Sequence, residues 1–283
     1  MDEMLRRYEI LCDRTGDEDA AEAASRVRGG YYRTKSIRSG SLLEVQAYPM
    51  PGVRAEKAIR RMEISREAQK RLNQRNAEKR LMRLAEANFD EHDYYFTGTI
   101  EGGELPDIDE MQKRIRAFLR KWKRAREKQG LTEHKYIYVI EGHEEGDRKK
   151  RIHWHALMQG GLDRSICKAL WDAGRARCDE LDPRGKDGLI PLARYMSKDP
   201  RGKRRWSASK GLKQPAVSFA EHKVSARAVR RVCEDVAGRA AALEKLYPGY
   251  DFIECEVRSN PIMPGVYLYA VMRRRAIGSQ RLS

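Results

Sequence analysis

Short runs of alternating apolar and polar residues, separated by longer stretches of helical period, organise this chain. Residues 41–48 alternate as a strand, which Pro49 and Pro51 are expected to stop. Residues 54–88 predict one long basic helix, with Ile59, Met62, Leu72, Leu81 and Leu84 as its apolar positions. Its many Arg and Lys residues read first as a solvated face, and DNA contact is a second reading. Residues 94–100 are rich in β-formers and predict a strand. Asp107 and Glu110 then make a capping-box-like start to a helix that ends at Gly130. Met111, Ile115, Phe118, Leu119, Trp122 and Ala125 form its apolar stripe, which is expected to face the core.

Residues 135–141 and 152–158 predict two further strands, and the polar link between them predicts an antiparallel hairpin. Short helices follow over 163–173 and 188–198, then a basic loop. A helix over 225–246 carries Val229, Val232, Val236, Ala240 and Leu243 on one face, and strands near 250–258 and 265–273 close the chain. Residues 1–30 are polar and predict helix or partial disorder. The alternation of elements around a central hairpin predicts an α+β fold, with a central antiparallel sheet flanked by helices and a helical N-terminal extension. In this reading residues 1–90 form an N-terminal region, and residues 91–283 form the main domain with the C-terminal helix and hairpin.

Charge changes the picture. The chain carries a formal net charge of +16 over 283 residues, with an isoelectric point near 9.7 and a mean hydropathy of -0.79. Such a balance points to a polyanionic partner, nucleic acid first, although an anionic membrane surface attracts the same charge. No apolar run approaches the ~20 residues that span a bilayer, so no membrane partner is expected. The first residues lack a secretory apolar segment. Five cysteines are scattered without a C-x-x-C pair, which suits a reducing cytoplasm and argues against a cysteine zinc site. There is no phosphate-cradling G-x-x-x-x-G-K-[ST] and no internal repeat.

Candidate chemistry centres on His153-Trp154-His155. On a strand, residues two apart project from one face, so both imidazoles can hold one metal ion while Trp154 turns to the core. If the hairpin closes around residues 146–147, Glu141 pairs near His153 and completes a His-His-Glu set. His143, in the polar turn, is a competing ligand. Mixed imidazole and carboxylate donors allow Mg²⁺ or Mn²⁺ and do not exclude zinc or iron. Downstream, Tyr195 and Lys198 stand three apart and share a helix face. Tyrosine is a weak nucleophile at neutral pH, and a neighbouring ammonium favours its phenolate and can bind phosphoryl oxygens. The run over 198–213 then holds Arg201, Lys203, Arg204, Arg205, Lys210 and Lys213 against one acid, Asp199, with Trp206 inside it. Basic groups grip phosphates while an aromatic ring stacks on an unpaired base.

Together these residues resemble a known family. Phe96-Thr97-Gly98-Thr99, His153-Trp154-His155 and Tyr195-x-x-Lys198 resemble, in order and spacing, the three motifs of HUH endonucleases. More narrowly the chain is similar to single-tyrosine, phage- and plasmid-type replication initiators. That resemblance also takes in Ser39 to Val45, Asn76 to Arg80, Ala87-Asn88-Phe89, Ile140-Glu141-Gly142 and Arg205 to Leu212, and covers roughly residues 35–215. Motif one departs from relatives by ending Thr-Gly-Thr-Ile, where a larger apolar residue and an aromatic are common. The resemblance implies a ferredoxin-like or RRM-like sheet in an endonuclease domain. It implies that His153, His155 and Glu141 bind a divalent metal, and that Tyr195 attacks single-stranded or hairpin origin DNA while Lys198 assists. A 5′-phosphotyrosyl enzyme and a free 3′-hydroxyl follow, with host helicase and polymerase as expected partners in a bacterial cytoplasm. The C-terminal region is expected to give structural support or duplex contact.

Three rivals differ in chemistry or context. An HUH relaxase or transposase uses the same metal and tyrosine. A cupin-type oxygenase or isomerase places its glutamate shortly after the histidines, whereas residues 156–162 contain no acid. A non-catalytic DNA- or RNA-binding protein explains the charge and leaves the His pair, Glu141 and Tyr195 without a role.

Overall fold

A computed structural model describes residues 2–13, 17–27, 31–101, 108–142, 144–145, 148–149, 152–198 and 205–276. Helices α1 (Glu3–Leu11) and α2 (Asp17–Ser25) precede β1 (Tyr31–Ser39) and β2 (Leu42–Met50). Then come α3 (Val53–Arg61), α4 (Arg66–Asn88), β3 (Tyr94–Thr99), α5 (Ile108–Lys128) and β4 (Tyr136–Glu141). The two-residue strands β5 (Glu144–Glu145) and β6 (Arg148–Lys149) lead to β7 (His153–Met158), α6 (Arg164–Ala169), β8 (Ala176–Glu180) and α7 (Ile190–Ser197). The remainder is β9 (Ser207–Ala208), β10 (Ala216–Glu221), α8 (Ala226–Glu234), α9 (Arg239–Leu246), β11 (Tyr250–Ser259) and β12 (Val266–Arg274). The α+β class expected from the sequence is present, but its strands form two five-stranded antiparallel sheets rather than one central sheet. No helix among the described residues is long and apolar enough to cross a membrane.

The chain divides into two compact units, one of residues 1–76 with 215–283 and the other of residues 77–214. The division differs from a split near residue 90 because β1 and β2 share a sheet with the C-terminal strands, in the order β10-β1-β2-β12-β11. Strand β2 explains that pairing. Leu43, Val45 and Ala47 point into an apolar layer with Leu268, Ala270 and Met272, covered by Ala20, Ala23 and Ala24 of α2 and by Val229, Val232 and Cys233 of α8. Its alternate residues are polar yet buried, and each finds a partner. Glu44 accepts from the Tyr269 hydroxyl at 2.7 Å, Gln46 donates to Glu9 at 3.0 Å, and the Tyr48 hydroxyl donates to Asp2 at 2.7 Å. A strand that looks half-solvated is therefore central, because its polar groups are satisfied inside.

The second unit is built on the sheet β8-β3-β7-β4-β9. Helix α5 covers one face, and its predicted stripe of Met111, Ile115, Phe118, Leu119 and Trp122 is buried against Phe96, Tyr138, Ile140, Trp154, Ala156 and Met158. Trp154 is fully buried, with ring centroids 5.0 Å from Phe96, 5.3 Å from Phe118 and 5.4 Å from Trp171. Directly across the ladder from Trp154 lies Gly98. A Cβ there would stand 2.2 Å from the indole Nε1. The indole thus occupies the space that a larger residue in motif one would need.

Several elements depart from the hydrophobic pattern. The basic segment 54–88 breaks into α3 and α4, since Met62 is extended and the Ser65 hydroxyl accepts the Ala68 N–H at 3.1 Å, starting a new helix. The 225–246 helix breaks between Glu234 and Arg239, where Asp235 accepts the Gly238 N–H at 2.7 Å, and Val236 falls in the break, 50% exposed. Strand β2 runs through Pro49 because its pairing with β12 ends at Ala47, leaving β1 as its paired neighbour there. Strands β1, β8 and β10 have no clear apolar alternation and are not evident in the sequence. Asp107, half of the expected capping box, lies outside the described residues, as do residues 146–147.

Gly98→Ala is expected to destabilise the protein by about 1–3 kcal/mol through overpacking against Trp154. Trp154→Ala should cost roughly 3–5 kcal/mol through the cavity it leaves. Denaturant unfolding followed by fluorescence measures both, and an unchanged midpoint for Gly98→Ala would show that the two strands do not interlock in this way.

Candidate active site

Strand β7 lies between β3 and β4, so each of its residues meets a partner on both sides. His153 stands opposite Glu141 on β4 and Thr99 on β3, and His155 opposite Thr97 on β3. All project from the face turned away from α5. His153 Nε2 is 3.4 Å and His155 Nε2 3.6 Å from the same Glu141 oxygen, and one donor atom from each residue lies within 4.8 Å of the others. The expected trio is thus assembled by register alone. His143 lies outside the described residues.

His155 is the more enclosed of the two imidazoles, 4% exposed. Its Nδ1 meets the Tyr95 hydroxyl at 2.6 Å and Thr97 Oγ1 at 3.0 Å, and the Tyr95 ring stacks parallel to it at 5.5 Å. These contacts aim Nε2 at Glu141. Either hydroxyl can accept a proton from Nδ1, which leaves Nε2 its lone pair. Tyr95 carries no mark in the sequence. It could be found only by knowing that β3 pairs with β7, since it sits two residues before Thr97 on the same face.

The trio fits a divalent cation. His155 Nε2 and Glu141 Oε1 are buried polar atoms without a hydrogen-bond partner, a costly state unless a ligand engages them. Burial raises the Glu141 carboxyl, but the two imidazoles outweigh it and hold the group at about 2. A carboxylate and two imidazoles converging at one point form a mixed O/N donor set for a metal ion.

Tyr195 reaches this centre from α7. Ile190, Ala193 and Met196 anchor that helix, while the Tyr195 side chain is 50% exposed and its ring centroid lies 5.4 Å from that of His155. Helix α4 fixes α7 in turn. Buried Glu86 accepts the Leu189 N–H at 2.8 Å, capping α7 from outside, and Glu78 pairs with Arg194 at 3.4 Å. The second half of α4 is therefore a platform for the tyrosine helix rather than only a solvated basic face. Burial, then the charge of Glu141, raises the Tyr195 phenol above its ordinary value. The resting side chain is a protonated phenol. Lys198, expected to favour the phenolate, ends α7 with its N–H on the Tyr195 carbonyl at 3.2 Å, and its side chain is exposed.

The basic run is partly ordered onto the sheet. Ser207 and Ala208 pair with Tyr138 and Ile137 of β4. Arg80 of α4 lies 5.5 Å over the half-buried Trp206 ring, so one side of that ring already has a cationic neighbour. Asn88 holds Lys213 through both its backbone groups, at 2.7 and 3.0 Å. The side chains of Lys210 and Lys213 are exposed and Arg205 is half-buried. Arg201, Lys203 and Arg204, with Asp199, lie outside the described residues.

Residues 93–200 match the family model of replication-associated protein ORF2/gene II protein, a rolling-circle replication family. The matched span begins just before β3 and ends just after Lys198, so it contains the Glu-His-His trio and Tyr195. The buried trio is consistent with the HUH motif, and the resemblance seen in the sequence is borne out over this span. No curated protein and no solved structure matches the chain.

Added Mn²⁺ should raise the unfolding temperature of the wild-type protein, by an amount equivalent to about 2.7 kcal/mol at a hundredfold excess over Kd. Glu141→Ala and His155→Ala should abolish that shift. Tyr95→Phe should weaken metal binding by roughly 10–100-fold, the range typical of lost outer-shell partners. Thermal melts with Mn²⁺ and with EDTA decide, and equal shifts in all four proteins would dismiss the metal site.

Proposed function

We propose that the protein is a single-tyrosine DNA nickase and strand transferase that initiates rolling-circle replication. The observation that carries this reading is the Tyr195 ring standing 5.4 Å from His155 of the Glu-His-His trio, inside the segment that matches a replication-associated family. A nucleophile-bearing residue and a cation site side by side are what phosphodiester cleavage needs.

His153, His155 and Glu141 hold the divalent ion, Mg²⁺ or Mn²⁺. When bound, the ion acts as a Lewis acid that polarises the scissile phosphodiester. The chain's own residues do the rest. Helix α7, capped by Glu86, presents the Tyr195 phenol at the surface, where an unpaired strand can reach it. Its oxygen attacks phosphorus, the bond to the 3′ oxygen breaks, and the strand leaves as a 3′-hydroxyl that primes synthesis. The phenolic proton is released in this step. Because burial and Glu141 keep the phenol protonated at rest, the nucleophile is activated only when substrate and cation offset that charge. The exposed Lys198 ammonium neutralises the phosphate as it docks. The phosphotyrosyl bond stores the energy of the broken diester, so a later hydroxyl can rejoin the strand.

Arg201, Lys203, Arg204, Arg205, Lys210 and Lys213 grip the strand, and the free side of Trp206 stacks a base. The substrate is single-stranded or hairpin origin DNA, host helicase and polymerase are the partners, and the work is done in a bacterial cytoplasm.

Protein incubated with labelled single-stranded oligonucleotides and Mn²⁺ should give a denaturation-resistant adduct that EDTA prevents. Tyr195→Phe should remove the adduct entirely, and His153→Ala or His155→Ala should lower its yield at least 100-fold, on the order of what a lost electrostatic stabiliser costs. An adduct that persists in Tyr195→Phe would move the nucleophile elsewhere.

A further inference from the structure

We propose that the outer face of α8, in the unit formed by residues 1–76 and 215–283, docks on the phosphate backbone of double-stranded DNA. This helix is strongly two-sided. Val229, Val232 and Cys233 are buried in the apolar layer of their sheet. The opposite side exposes Arg227, Arg230 and Arg231, and Lys223 is exposed just before the helix. The Ser225 hydroxyl caps the first turn by accepting the Ala228 N–H at 3.1 Å, so the short helix is well defined from its start.

What sets this face apart is that its charge is not neutralised. Elsewhere many cations meet acids from their own neighbourhood. In α5, Lys113 and Arg114 share Glu110, Lys123 faces Glu127, and Lys121 reaches Asp172. In the first unit, Arg33 pairs with Asp2 and Glu221, Arg60 with Glu3 and Glu56, and Arg26 with Glu22. Among the described residues, Arg227, Arg230 and Arg231 form no ion pair, and Glu234, at the end of the same helix, engages none of them. Their spacing of i, i+3 and i+4 puts like charges about 5–6 Å apart, an arrangement that costs helix stability in isolation. A polyanion turns that repulsion into binding.

The shape narrows the polyanion. A helix about 10–12 Å across is convex and enters a major groove of about 12 Å. The α8 face has guanidinium groups but no aromatic residue, so it lacks the stacking platform that unpaired bases use. Arginine forks match phosphate oxygens directly. The inference rests on the nickase reading only for the choice of DNA over other polyanions.

The test is fluorescence anisotropy of the full chain with a labelled duplex of arbitrary sequence over a salt series. It runs beside the adduct assay on single strands. Replacing Arg227, Arg230 and Arg231 together by Ala should weaken duplex binding by about tenfold or more near physiological salt, and should lower the salt slope by about 2–3. The triple Arg→Lys variant should keep the slope, and both variants should form the Tyr195 adduct as wild type does. Unchanged duplex affinity and slope in the Ala variant would overturn the proposal. So would a slope lost equally in the Lys variant, or wild-type binding to phosphatidylglycerol vesicles or an RNA hairpin in preference to the duplex. Absence of an adduct in wild type, with α8-dependent duplex binding intact, would sink the nickase reading and leave this one standing.

Discussion

The alternation of side chains along β7 is the constraint on which the candidate site depends. Trp154 must fill the layer beneath α5, and that obligation leaves His153 and His155 no choice but the opposite face. A slip of one residue would send both imidazoles into an aromatic core and the indole into the site. Gly98 makes the register specific from the other side, because no other residue lets the neighbouring strand lie beside that indole. Packing and chemistry are thus two faces of one decision. The geometry of the metal-binding trio is set by an apolar contact on the far side of the sheet.

A second tier of interactions converts that trio into a site with direction. Tyr95 and Thr97 meet one nitrogen of His155 and leave the other aimed at Glu141. Helix α4 supports the opposite wall, with Glu86 on the start of α7 and Glu78 on Arg194. None of these four residues belongs to the three sequence motifs as a reactive group except Thr97, yet each limits how a reactive group can move. Their placement on regular elements suits a centre that must hold two reacting partners to within a fraction of an ångström.

Legibility in the sequence follows the same division. The His153 and His155 pair, Glu141 across a hairpin, and Tyr195 on a short helix are all readable, because each depends on local period and nearest-neighbour pairing. Tyr95 is not, since its role depends on β3 lying beside β7, and the intervening chain over residues 100–152 carries no sign of that pairing. Strand β2 reads as half-solvated because Glu44 and Gln46 look like surface residues. Only the hydroxyls of Tyr267 and Tyr269, more than two hundred positions later, make them interior ones. The breaks at Ser65 and Asp235 are single side-chain caps within otherwise continuous helical patterns, and apolar periodicity is blind to them.

The grip of Asn88 on Lys213 closes a ring of chain. Its amide meets both backbone groups of a residue 125 positions away, as a neighbouring strand would. Nearly the whole second unit is contained between those two points. The chain therefore leaves the first unit and returns to it from neighbouring points, and residues 77–214 are an insertion within a sheet begun by β1 and β2. During synthesis from the N-terminus, the inserted unit has all its strands before β10, β11 and β12 exist. The outer sheet stays open until its last strand arrives. The older half of the sequence waits on the youngest.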